Sequence, residues 1–417
     1  MTTAAGVATA RRAAAVLVAE VLDHGRTLDD ALAASRSFAA LEGRDRAFAR
    51  AIASTTLRRL GGVDEILGGF LQRPLPESAA LARGILRTGA AQLLAMGSPP
   101  HAVVSEAVAV AHAARNAAPY AGLINAVLRR VDREGRDLFS ALPPGADLPD
   151  WIFARWRAAY GDDAAAAIAR ALRAEPPLDI TPKSDVDGWA ARLGGKVIDG
   201  RTVRLDSGGD VAALPGFAEG AWWVQDAAAS APVGLLGDVA GLRIADLCAA
   251  PGGKTMQLAN AGASVTAVDV SSHRLGRVRE NLARTGLPAD LVEADVLSWA
   301  PDALFDVVLL DAPCSATGTL RRHPDVAWLR RPADIAALAA IQAAMLDRAI
   351  ALTRPGGRIL YVVCSLEPEE GPGAIEAALS RHSGAVAPAE PVLHTTPASR
   401  PDEGGMDGFY ARVLTRT

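Results

Sequence analysis

FDVVLLDAPC, residues 305–314, decides the fold. Val307 to Leu310 are apolar without alternation, as a strand covered on both faces must be, and such strands belong to parallel sheets. The run ends on an acid, Asp311, and a cysteine follows at 314. GRILYVVCSL (357–366) repeats the design, with ILYVV ending on Cys364. Between the two lies PADIAALAAIQAAMLDRAIALTRPG, long enough for a crossover helix. Upstream the alternation continues through LRIADLC, a glycine turn and a helix, then SVTAVDV, SSHRLGRVRENLARTG and DLVEAD. From residue 236 to 417 this pattern predicts a doubly wound, Rossmann-like α/β domain with a mainly parallel sheet.

Ligands of such sheets bind outside the carboxyl ends of the strands. Those ends carry Asp246, Asp269, Asp295, Asp311 and Cys364, with Cys314 just beyond. A single Asp there is ordinarily a cap or turn residue. Four acids and two thiols converging on one crevice indicate a site.

DLCAAPGGKT (246–255) supplies the glycine loop. Its GGKT ending invites a phosphate-loop reading, but Cys248 stands where that motif requires the first Gly. The dinucleotide fingerprint G-x-G-x-x-G is absent too. A glycine turn opening a helix still offers backbone N–H groups to a carboxylate. Lys254 is one of three lysines in a chain with 43 Lys+Arg, which suggests a point-charge contact. Asp269, 23 residues after Asp246, is placed to accept ribose hydroxyls, and Asp295 to read an adenine edge. A nucleoside with a short charged tail, S-adenosyl-L-methionine, fits this set.

Two thiols beside an acid and a methyl donor suggest methylation at carbon 5 of cytosine. Thiolate addition at carbon 6 makes carbon 5 nucleophilic, and the acid stabilises the adduct. A second group must then remove the carbon 5 proton. The residues alone do not say which of Cys314 and Cys364 attacks.

The first 138 residues read as helix after helix, for example GRDRAFARAIASTTLRRLGGVDEILGGFL and ESAALARGILRTGAAQLLAMG. They hold 17 Arg, no Lys and 13 acids, near +4, while the whole chain is −4. Residues 139–150, with SALPPGADLPDW, read as a linker, and 151–235 as a small α+β RNA-binding piece whose strands include DITPK, KVIDGRTVRLD and AWWVQD. RRHPDVAWLRR (321–331) interleaves arginines with His323 and Trp328, suiting phosphate contact and base stacking.

Three cysteines make no disulfide framework and point to a reducing compartment. The N-terminal RR followed by AAAVLVA mimics a signal peptide, but Glu20 and Asp23 interrupt it and helical spacing continues. No uninterrupted apolar run of ~20 residues is found. The histidines lack metal-ligand spacing. The expectation is a cytoplasmic protein, a monomer, with neither membrane nor metal.

The motifs DLCAAPGGKT, DVSSHRLGRVRENLARTG, EADV, FDVVLLDAPCSATGTLRRHPDVAW, YVVCSLEPEE and GGMDGFYARVL resemble the Sun (RsmB-like) family of RNA cytosine-5 methyltransferases. DRAFARAIASTTLRRLGGVDEIL, ILRTGAAQLL, PHAVVSEAVAVA and LINAVLRRV resemble the NusB-like RNA-binding helical bundle. The combination is that of the bacterial branch acting on 16S rRNA, which implies 16S rRNA or a small-subunit precursor as partner. The resemblance implies Cys364 as nucleophile, Cys314 as the residue aiding release and Asp311 as the acid. It implies a cofactor site of Cys248, Ala249, Ala250, Pro251, Gly252, Gly253, Lys254, Asp269, Arg274, Asp295 and Asp311, and a pocket role for Met406 to Phe409. Two departures stand out: Val363 where the family has Thr, and Gly371–Pro372 where it has Asn-Glu. A non-catalytic assembly factor and a DNA cytosine-5 methyltransferase are the alternative readings.

Overall fold

The computed structural model describes residues 9–206 and 209–417. The chain forms two compact units. One runs to Ala174 and also includes Leu320–Arg331; the other comprises Glu175–Thr319 and Pro332–Thr417.

The first unit is all helical. Its helix Ala10–His24 begins where the Thr9 hydroxyl accepts the Arg12 N–H and stops where Gly25 takes a left-handed φ of 67°. That helix buries Leu17, Val18 and Val21 on one face and packs against Ala80–Leu94. The approach is close enough that a Cβ on Gly84 would sit 2.4 Å from the Ala15 carbonyl oxygen. The signal-like stretch is thus a core helix from Ala10 on, and residues 1–8 lie outside the described residues.

Two sequence expectations change here. Residues 139–150 are not a loose linker. Asp147, almost fully buried, accepts from Arg59 Nε at 2.9 Å and Arg173 Nε at 2.7 Å, and Gly61 lies against the Ala146 carbonyl. Helices Asp150–Tyr160 and Asp162–Ala171 therefore join the bundle rather than the α+β piece. RRHPDVAWLRR also belongs to the bundle. Trp328 packs on the cluster around Leu17 and Ile52, and its indole N–H donates to the Leu57 carbonyl at 2.8 Å. Asp325 accepts the Leu28 N–H, and Arg58 donates to the Arg321 carbonyl. Trp328 is partly buried by this packing, and its indole N–H is already engaged.

The second unit begins with an antiparallel sheet of β1 (Leu178–Pro182), β2 (Lys196–Ile198), β3 (Thr202–Leu205) and β4 (Trp222–Val224), ordered β2-β3-β1-β4. These are the strands expected from DITPK, KVIDGRTVRLD and AWWVQD. The larger sheet contains β5 (Arg243–Leu247), β6 (Ser264–Asp269), β7 (Asp290–Glu293), β8 (Phe305–Asp311), β9 (Thr353–Val363), β10 (Val386–Pro388), β11 (Leu393–Thr395) and β12 (Phe409–Arg416). Its order is β10-β12-β9-β8-β5-β6-β7, with β11 also on β12. Strands β5 to β9 are parallel, and β10, β11 and β12 add antiparallel pairing at one side. Val307 to Leu310 and Ile359 to Val363 are all fully buried, as runs covered on both faces require.

One helix among the described residues, Pro332–Leu352, is long and apolar enough to cross a membrane. It carries Asp347 and Arg348, and it packs Leu346, Ala349, Ile350 and Leu352 against the β8–β9 face. It is the crossover helix joining those two strands.

Candidate active site

The parallel strands end together, and register fixes what they present. Leu247 of β5 pairs with Leu310 of β8, and Asp311 pairs with Val362 of β9. The loops after β5, β8 and β9 therefore leave the sheet side by side.

The β5 loop turns sharply. Cys248 adopts a left-handed φ of 60°, Gly252 one of 100°, and the helix Gly253–Asn260 begins at once. Asp246 beneath it is fully buried and accepts the Thr255 hydroxyl at 2.5 Å through one oxygen, while its other oxygen has no partner. Burial, partly opposed by the Thr255 hydrogen bond, pushes its pKa up to about 7. Asp269 is 1 % exposed, accepting the Ala250 N–H at 3.3 Å and the Ser271 N–H at 3.1 Å. Arg274 closes this arrangement by donating to the Ala250 carbonyl at 3.0 Å and standing 3.5 Å from Asp269. Asp295 is exposed just past β7, with one oxygen capping the Leu297 N–H.

Lys254 and Asp311 form an ion pair at 2.7 Å. Burial works to lower the Lys254 pKa, yet the charge and hydrogen bond of Asp311 carry it above its ordinary value. The pair lies beside Phe409, whose ring centroid is 5.3 Å from Lys254 Nζ. Met406 is buried in the core under the sheet.

The thiols differ in kind. Cys314 Sγ and Cys364 Sγ are 3.4 Å apart. The hydrogen bond to Cys364, together with burial, raises the Cys314 pKa well above the thiol range; nearby Glu370 adds to it. Cys248 is pushed up to about 12, mostly by burial and then by the surrounding Asp311, Asp269 and Asp246. Cys364 is half-buried, and its side is the one facing Lys254, whose pKa it helps raise.

The residues present fit S-adenosylmethionine. Backbone N–H groups at the start of helix Gly253–Asn260 suit a carboxylate. Carboxylates at the ends of β6, β7 and β8 suit hydroxyls and an ammonium. The unpartnered Asp246 oxygen shows that acidic groups are crowded here beyond what the fold uses. Among the described residues no cluster of three or more His, Cys, Asp or Glu is arranged to hold a metal.

Sequence reasoning passed over three residues. Glu370 is fully buried and joins the two cysteine loops. Gly318 donates to the Cys364 carbonyl at 3.0 Å and accepts from Gly408 N at 2.7 Å, with no room for a Cβ. Gln342 reaches from the crossover helix to the Pro313 carbonyl at 2.9 Å. The signal for each was present, in EPEE, SATG and an uncharged polar residue within an apolar helix, but only the fold brings them together.

Residues 235–415 match the family described as 16S rRNA methyltransferase RsmB/F, and residues 8–133 match the NusB family. A ribosomal RNA small subunit methyltransferase B of Xanthomonas campestris pv. campestris is 40% identical over 440 residues, covering 100% of this chain and 98% of its own length. One of Salmonella arizonae is 35% identical over 429 residues, covering 97% and 98%. Among solved structures, PH0851 superposes with a TM-score of 0.76 at 21% identity over 97% of this chain and 98% of that one. A methyltransferase homolog protein from Pyrococcus horikoshii gives 0.54 at 26% identity over 63% and 94%.

Proposed function

The chain belongs to the RsmB/F family of 16S rRNA methyltransferases, and on that premise we propose that it makes 5-methylcytosine in small-subunit rRNA through a covalent bond from Cys364 to the base. S-adenosylmethionine-dependent methylation of rRNA is the family activity; the choice of carbon 5 and the covalent route are our reading. The observation that carries it is the pair of thiols 3.4 Å apart at the ends of β8 and β9, beside the Lys254–Asp311 ion pair.

Before attack the two sulfurs share one negative charge, as close titrating pairs do. Lys254 favours that charge on Cys364, and Cys314 keeps its proton. Cys364 adds to carbon 6 of a cytosine that is unpaired or flipped from its stack. As the adduct forms, ring nitrogen 3 takes a proton from solvent, which it gives back when the adduct breaks down, and Asp311 accepts a hydrogen bond from that N–H and stabilises the adduct. S-adenosylmethionine supplies the methyl group for carbon 5. Forming the adduct removes the negative charge that held Cys314 protonated. Cys314 then loses its proton to solvent, takes the one on carbon 5, and the carbon 6–sulfur bond breaks to return the Cys364 thiolate.

Cofactor contacts are assigned to the loop Cys248–Lys254 with Asp269, Arg274, Asp295 and Asp311. In this reading Lys254 and Asp269 also shape the site itself, Lys254 by holding Asp311 and Asp269 by holding the loop. The first 138 residues of the helical unit, near +4, help orient the RNA, and the enzyme works in the cytoplasm as a monomer.

The test is a denaturing gel of wild type, Cys314→Ala and Cys364→Ala incubated with S-adenosylmethionine and labelled 16S rRNA fragments. A protein–RNA adduct should accumulate with Cys314→Ala and be absent with Cys364→Ala. The reverse pattern would make Cys314 the nucleophile. Methyl transfer by Cys364→Ala would end the covalent reading.

A further inference from the structure

We propose that Glu370, a residue with no assigned part in the reaction, is the positioning residue that holds the two thiols at their working separation and keeps them chemically unequal. The proposal rests on the two-cysteine reading above.

Glu370 is 0 % exposed. Its Oε1 accepts the Ser315 N–H at 2.9 Å and Gln342 Nε2 at 3.0 Å. Its Oε2 accepts the hydroxyls of Ser315 and, at 2.5 Å, Ser365. Ser315 and Ser365 are the residues immediately after Cys314 and Cys364. One carboxylate therefore pins the same position in both cysteine loops, where the Ser315 and Ser365 hydroxyls also meet each other at 3.0 Å and the Thr317 hydroxyl, each at 3.4 Å. Gln342 adds the Pro313 carbonyl, on the other side of Cys314. The Glu370 backbone is fixed in turn, its carbonyl accepting the Tyr361 hydroxyl at 2.7 Å and its N–H donating to Glu367.

A buried carboxylate is costly unless hydrogen-bonded. Four neutral donors satisfy this one, and among the described residues no Lys or Arg is paired with it. Pure cross-linking of two loops would be served as well by a neutral amide. A retained charge has a further effect, because it acts on the nearer thiol. Negative charge beside Cys314 opposes a second negative charge there, and Glu370 is among the causes of the raised Cys314 pKa. Held 3.4 Å from Cys364, Cys314 is therefore the thiol at which a negative charge is opposed.

The experiment compares purified full-length wild type, Glu370→Gln, Ser315→Ala and Ser365→Ala. It measures kcat and KM with 16S rRNA fragments, thermal unfolding, and, without RNA, the rates at which iodoacetamide labels Cys314 and Cys364 by mass spectrometry. Glu370→Gln should lower kcat by about 100-fold while leaving KM for RNA within about threefold, since losing the charge beside Cys314 alters the reacting thiols rather than RNA binding. It should also raise the labelling of Cys314 relative to Cys364 by about tenfold. Each serine variant, which loses one hydrogen bond, should lower kcat by about tenfold at unchanged KM. A folded Glu370→Gln protein with the wild-type kcat and labelling ratio overturns the proposal. If that variant does not fold, folded serine variants with wild-type kcat overturn it. Failure of wild type to form any RNA adduct would instead sink the two-cysteine cycle, and the RNA-free labelling ratio would still judge Glu370.

Discussion

Lys254 Nζ donates to Asp311 Oδ2 at 2.7 Å, tying the helix after β5 to the end of β8. The lysine is nearly buried and the carboxylate about one-third exposed. Lys254 keeps its proton at any working pH because its pKa lies above the ordinary value. Removing it with Lys254→Met strands a carboxylate that already stands near Asp246 and Asp269. Breaking a fully buried pair costs about 3–5 kcal/mol; with Asp311 partly in water, about 1–2 kcal/mol is expected by urea unfolding. Asp311→Asn keeps the shape but leaves the nearly buried Lys254 without its counter-charge, so it should cost about 3 kcal/mol and, where the variant stays folded, lower methyl transfer by about 100-fold or more if Asp311 stabilises the adduct. Equal activity of Asp311→Asn and wild type would remove Asp311 from the chemistry.

The three thiols should react in a fixed order with iodoacetamide at neutral pH. Cys364 comes ahead of both Cys314 and Cys248, because burial and neighbouring negative groups raise the pKa of each of those two, that of Cys248 to about 12. At a pKa near 12 only about one Cys248 in 10⁵ is thiolate at pH 7, so labelling of Cys248 ahead of Cys364 in the folded protein would contradict the assignment. Peptide mass spectrometry over a time course reads the order directly.

Asp246 gives a prediction for stability rather than activity. In the unfolded chain it ionises near 3.8, and in the folded chain only near 7. Between those values the folded state holds a proton that the unfolded state has released. Its contribution is fully present below about pH 4 and is lost as pH rises towards about 7. Asp246→Asn is neutral throughout and can still accept from Thr255. It should flatten the pH dependence of unfolding over this window and gain on wild type at pH 8, by an amount on the order of a few kcal/mol. Parallel pH curves for the two proteins would show that Asp246 does not titrate as described.

Much of this was legible beforehand because its causes are local. VVLL and ILYVV declare strands covered on both faces, and the acids at strand ends declare where those strands open. The α+β strands were equally readable. What escaped were features made by distant pairing. Nothing near Asp147 in the sequence announces Arg59 and Arg173, so a Pro/Gly-rich stretch read as a linker when it is a packed corner. RRHPDVAWLRR has the composition of an RNA-contacting loop, but composition cannot tell that the Leu57 carbonyl waits for the Trp328 indole. Glu370 sat unread inside YVVCSLEPEE because, apart from nearby Ser365, its partners come from the distant positions 315 and 342.

Trp328 separates packing from recognition. Trp328→Ala removes a large side chain from the cluster around Leu17, Ile52 and Leu57 and leaves the Leu57 carbonyl without its donor. A loss of about 3 kcal/mol in the helical unit is expected. Trp328→Phe keeps most of the packing and should cost about 1 kcal/mol, the worth of the lost hydrogen bond.

Gly318 offers the sharpest steric test. A Cβ there would lie 2.0 Å from the Gly408 carbonyl oxygen, which is backbone and cannot swing aside. The same glycine links the Cys364 carbonyl to the Gly408 strand entry through two backbone hydrogen bonds. Gly318→Ala must therefore push the Gly408 loop away from the Cys314 segment. Overpacking of this kind costs about 1–3 kcal/mol and shifts backbone. Because the shift falls between the two thiols and Phe409, activity should fall by about 100-fold, more than the stability loss alone would give at a temperature where the variant stays folded. A Gly318→Ala protein that melts like wild type and methylates at its rate would mean that this backbone crossing is looser than the structure describes.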